Sequence, residues 1–79
     1  GFGRYDIMLE PKKQGLDAFI NEFKVYNPRK DKSLEDTVRS ALAQIEEKQY
    51  GTELVKKGIP EEKIRKYGFA FEGKNVLIG

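Results

Sequence analysis

The sequence predicts an α+β fold with the element order β-β-α-β-β, a sheet carrying one main helix on one side. Three observations lead there. Apolar residues alternate with period 2 near both ends of the chain, a single 3.6-residue apolar stripe fills the middle, and turn-forming residues separate these segments. The 79 residues leave room for one small domain. Apolar residues make up 38% and charged residues 35%, so the chain can fold with little hydrophobic surplus, a net of no more than ~3–5 kcal/mol for a core this size.

In residues 1–10, Tyr5, Ile7 and Leu9 fall on one face of a strand, and Arg4, Asp6, Met8 and Glu10 on the other. Residues 11–15, with Pro11 and Gly15, have the composition of a loop. Residues 16–26 form a second strand, with Phe19, Asn21, Phe23 and Val25 opposed to Ala18, Ile20, Glu22 and Lys24; the short connection suggests an antiparallel hairpin. Polar residues 27–32 end it. Ser33 is a good N-cap, Glu35 and Asp36 suit the positive end of a helix dipole, and Leu34, Val38, Ala41, Leu42 and Ile45 keep helical spacing. Beyond Ile45 the phase slips, so the helix is expected to kink or to pause and restart around Tyr50 and Leu54, with Gly58 as its stop. Pro60, Glu61 and Glu62 suit a short helical turn. Tyr67, Phe69 and Phe71 then alternate with Gly68 and Ala70, giving an aromatic face and a flat face able to sit under a helix. Gly73-Lys74-Asn75 reads as a tight turn before a last strand, Val76-Leu77-Ile78.

The chain has no cysteine and no histidine, which excludes disulfides, thiolate or imidazole metal sites and histidine-based nucleophilic catalysis. Chemistry must rest on carboxylates, lysine, hydroxyls or a hard cation held by oxygen. The net charge of +2 identifies no partner, but its distribution is uneven. Residues 10–32 hold six basic and four acidic side chains and residues 56–66 five and two, flanking residues 35–53 with two and five. No apolar run could span a bilayer, and a reducing cytoplasmic setting is expected. The start at Gly1 suggests a fragment or processed product.

Glu22 and Lys24 are two apart on a strand, so they point the same way, and Asp6 lies on the neighbouring strand. A register in which paired numbers sum to about 28 would set Asp6 opposite Glu22. Two adjacent carboxylates repel unless a cation lies between them, and a divalent ion keeping several waters suits such a place. Lys24 could then orient the attacking water and offset charge on a phosphate, which makes metal-assisted phosphodiester hydrolysis feasible. Taken alone, Glu-X-Lys on a strand reads more simply as a solvated charge pair. Ala18 and Ile20 on the same face favour partial shielding instead.

Asp6, followed after fifteen residues by Glu22-Phe23-Lys24, resembles the D-Xn-E-X-K core of the PD-(D/E)XK nuclease superfamily. Residues 3–9, 20–25, 41–50 and 68–74 are similar, in order and spacing, to a bacterial branch of it that lies C-terminal to an AAA-type ATPase-like domain. The resemblance implies a restriction-endonuclease-like core with a mixed sheet and a Mg²⁺- or Mn²⁺-dependent nuclease acting on nucleic acid, DNA being the expected substrate. It further implies Asp6, Glu22 and the Phe23 main-chain carbonyl as metal ligands and Lys24 as catalytic. Gln44 and Tyr50 resemble a helix motif near the site in some members, which adds Gln44 to the catalytic set. Tyr5 stands where the family usually has proline, and the family's usual opening helix and strand are expected to lie outside residues 1–79. The alternative is an inactive nucleic-acid-binding or protein-interaction module of the same fold; homodimerisation is a further expectation.

Other readings stay bland. Gln44 equally suits a polar position beside the apolar stripe, and Tyr50 suits packing. Tyr67, Phe69 and Phe71 read better as core than as a base-stacking platform, because no basic residue lies between the rings. The runs 29–32 and 63–66 read as solvated charges or as steering groups for a phosphate backbone.

Overall fold

A computed structural model describes residues 4–11 and 15–79, with the side chains of residues 4–6 outside the description. The expected loop at 11–15 and the first three residues of the expected opening strand therefore lie partly outside the described residues. Strand β1 (Arg4–Leu9) is followed by β2 (Ala18–Val25), helices α1 (Leu34–Glu47) and α2 (Tyr50–Lys56), a 3₁₀ turn (Glu61–Lys63), and strands β3 (Ile64–Glu72) and β4 (Asn75–Ile78). They form one mixed sheet in the order β1-β2-β3-β4. The outer pairs are antiparallel hairpins; β2 and β3 run parallel, and the two helices supply the long crossover that a parallel pair needs. The order β-β-α-β-β is as expected, with the helical part divided in two.

The sequence explains the start of α1. Ser33 is extended, and its hydroxyl accepts from the Asp36 amide at 3.4 Å. Asp36 reaches back past the cap to accept from the Lys32 amide at 2.8 Å and also pairs with Arg39. The Lys32 amide first, and Arg39 second, hold the Asp36 carboxyl below its ordinary value. Asp31 departs from the solvated run expected at 29–32: it is buried, accepting from the Asn27 amide and the Thr37 hydroxyl, both at 2.9 Å. This carboxylate ties the loop to the first turn of α1, so its burial is compensated by hydrogen bonds.

The phase slip after Ile45 becomes a break between two helices. Gln49 caps α2 with φ of 58°, a left-handed conformation that costs a non-glycine residue about 1–2 kcal/mol. After α2, Gly58 takes φ of 97°, its amide bonds Val55 O at 3.0 Å, and the Ile59 amide bonds Leu54 O at 3.1 Å. These two bonds form a Schellman stop, closed by Ile59 packing with Leu54. Pro60 precedes the 3₁₀ turn as its cap rather than occupying its first helical position.

The core lies on one side of the sheet. Ala18, Ile20, Ile45 and Leu54 are fully buried, with Met8, Leu42, Tyr50, Ile59 and Ile64 packed around them. Gly68 lets α1 come close: a Cβ there would meet Val38 O at 2.9 Å and the Ala41 Cβ at 3.1 Å. The flat face expected on β3 is thus the seat of the helix. The aromatic trio is not in this core, which corrects the reading of it as core packing. Tyr67, Phe69 and Phe71 point to the other side, where the Phe23 and Phe69 rings meet edge-to-face at 4.7 Å and Phe19 lies 6.4 Å from Tyr67. Tyr67 and Phe71 remain more than a third exposed. Strand alternation allows no other result, because Gly68 and Ala70 take the helix side.

Candidate active site

Residue 6 pairs with residue 22 in the β1–β2 ladder, which is the register assumed from the sequence. Position 6 thus lies opposite Glu22 in the ladder, and Glu22 shares the helix-covered side of the sheet with Ala18, Ile20 and Lys24. The Asp6 side chain lies outside the described residues. Glu22 is wholly buried, and both of its carboxylate oxygens are closed off from solvent. Lys24, the next residue on that face, is half-buried and pairs with Ala70 in β3. Phe23 turns its ring to the opposite side, against Phe69 and Phe71. Only its main chain belongs to the Asp6 and Glu22 neighbourhood.

A buried carboxylate is costly unless it is compensated. Part of the compensation comes from a residue the sequence reading did not select. Lys48, the C-cap of α1, places Nζ 3.9 Å from Glu22 Oε2 and 5.7 Å from the centre of the Tyr50 ring. Tyr50 itself packs on the core at the start of α2. The end of α1 thus carries Lys48 to Glu22, and the start of α2 sets the Tyr50 ring beside the ammonium. Lys48 stands four residues after Gln44, one turn along the same helix, which is the signal that could have found it. Gln44 is engaged elsewhere: its Nε2 donates to Glu47 on its own helix at 3.2 Å.

The buried Glu22 carboxylate, with the Phe23 main-chain carbonyl next to it, offers oxygen donors of the kind that suit a hard divalent cation retaining waters. Among the described residues no group of three or more acidic, histidine or cysteine side chains is placed to hold a metal ion. Neighbouring basic residues differ in their engagements. Lys66 pairs with Glu46 at 2.7 Å and Arg65 with Asp17 at 3.1 Å, whereas Arg29, Lys30 and Lys32 stand exposed in the loop before α1. Among the described residues no helix is long and apolar enough to cross a membrane.

A family model described as the PD-(D/E)XK nuclease superfamily matches residues 1–79. Searches of curated proteins and of solved structures return no match.

Proposed function

The chain belongs to the PD-(D/E)XK nuclease superfamily, and from that membership we propose that it is a divalent-metal-dependent nuclease domain hydrolysing phosphodiester bonds in DNA. The observation that carries this reading is the facing of Asp6 and Glu22 across β1 and β2, on the covered side of the sheet, with Glu22 wholly buried. Asp6, Glu22 and the Phe23 carbonyl would hold Mg²⁺ or Mn²⁺. Bound there, such an ion supplies Lewis-acid polarisation of the phosphate and a more acidic water.

The chain's own groups do the rest. The closed surroundings of Glu22 lower the local dielectric and strengthen its attraction for a cation. Lys24, half-buried two residues on, orients the attacking water and offsets charge on the phosphate. Arg29, Lys30 and Lys32 draw in the nucleic-acid backbone. Gln44 acts from α1 as an auxiliary polar group once released from Glu47.

We place the chain in a longer cytoplasmic parent with an AAA-type ATPase-like domain. The half-exposed apolar side of the sheet supports a fold completed by a further helix and strand. One observation favours the reading as an inactive binding module: Glu22 already has a cation, Lys48, close by. Plasmid cleavage separates the two. The nuclease reading expects Mg²⁺-dependent nicking that falls to background in Asp6→Asn and Glu22→Gln and by about a hundredfold or more in Lys24→Met. Salt-sensitive DNA binding without cleavage, unchanged by Asp6→Ala and by chelator, would establish the binding module instead.

A further inference from the structure

The cation beside the buried Glu22 comes from the end of α1, on a side chain that still reaches water. Lys48 is about a quarter exposed, whereas Glu22 has no exposure at all. Its Nζ lies at ion-pair distance, 3.9 Å, from the carboxylate oxygen. A divalent ion bound to the same carboxylate would sit about 2.0–2.6 Å from an oxygen. Two cations so close in a closed setting repel strongly. The lysine has a way out, since four rotatable bonds let the ammonium swing to the surface while its stem stays packed.

We propose that Lys48 is the resident counter-cation of Glu22: it neutralises the carboxylate in the metal-free protein and withdraws toward solvent when a divalent ion binds. This rests on Glu22 being a metal ligand. It makes Lys48 a positioning residue that sets metal affinity by competition. The ammonium offsets the carboxylate's charge and holds the fold closed without metal, and metal binding must displace it. The site is then intrinsically weak for free ions, and a phosphate arriving with the metal adds the negative charge that makes Lys48 release less costly. Metal and nucleic acid accordingly bind cooperatively.

Calorimetric titration with MnCl₂ alone, on the parent chain and on Lys48→Met, Lys48→Arg and Glu22→Gln, tests the competition. Lys48→Met should bind Mn²⁺ about tenfold more tightly than the parent. Lys48→Arg, which keeps the charge, should stay near the parent, and Glu22→Gln should lose binding. Lys48→Met should also melt lower than the parent without metal and gain more from Mn²⁺. A purely structural lysine would not tighten binding. Equal or weaker binding in Lys48→Met, with the parent binding and Glu22→Gln not, overturns the competition and leaves Glu22 as a ligand. Absence of binding in both the parent and Lys48→Met overturns the metal reading itself. The pairing of Lys48 with Glu22 is then judged by urea unfolding of both single variants and the double variant, where additive effects overturn it. If Lys48→Met does not fold, adding Glu22→Gln must restore the fold; failure to restore it overturns the pairing.

Discussion

The two sides of the sheet reverse the usual assignment of polar and apolar residues. Under the helices lie Ala18, Ile20, Gly68 and Ala70, all buried, and among them the carboxylate of Glu22. On the other side Ile7, Leu9, Val25, Tyr67, Phe71, Val76 and Ile78 are each between about a third and about half exposed. A sheet built only for stability would cover the aromatic side and leave Glu22 in water. The difference teaches that the covered side is organised around a charge. Small residues bring α1 close, and its C-cap Lys48 then reaches the carboxylate, with the Tyr50 ring beside the ammonium.

The contrast breaks most visibly by truncating matched isoleucines. Ile20→Ala, on the covered side, should cost about 2–5 kcal/mol, enough to unfold much of a chain this small. Ile78→Ala, on the other side, should cost about 1 kcal/mol or less in urea denaturation. Similar losses would mean that both sides are packed alike. Gly68→Ala comes next, at about 1–3 kcal/mol, because its Cβ must push back the Val38 carbonyl. By lifting α1 and Lys48 from Glu22 it should also tighten Mn²⁺ binding in whatever fraction stays folded, in the same direction as Lys48→Met. Gln49→Gly should raise stability by about 1 kcal/mol, since glycine carries no penalty at φ of 58°.

Much of this contrast was legible in the sequence. Alternation fixes which residues of one strand share a side, so the helix seat at Gly68 and Ala70 follows from period 2, whereas the pairing of position 6 with Glu22 rests on an assumed register that the ladder reproduces. The phase slip at Ile45 and the stop at Gly58 were readable because each has a local cause. The role of Lys48 was not, since a lysine in an acidic stretch looks solvated until a break turns it inward. Nor was the burial of Asp31, which depends on Thr37 reaching back to it. The aromatic trio misled because large apolar residues suggest a core, and alternation says only that they share a side.

The smallest expected effect concerns pH. Asp36 has its carboxyl lowered on folding, so its contribution is complete above the ordinary carboxylate range and is lost as pH falls through the lowered value. Asp36→Asn should therefore melt lower than the parent at neutral pH and converge with it in acid. A gap that persists in acid would assign the effect to something other than the Asp36 charge.

The central claim is that the covered side of the sheet, at Asp6 and Glu22, is where a divalent ion binds. Substoichiometric Mn²⁺ added to the ¹⁵N-labelled chain tests it most directly, through paramagnetic broadening of amide signals. Broadening should appear first at Asp6, Glu22, Phe23 and Lys24 and disappear in Glu22→Gln. Broadening centred on the acidic surface of residues 35–53, and unchanged by Glu22→Gln, would contradict it.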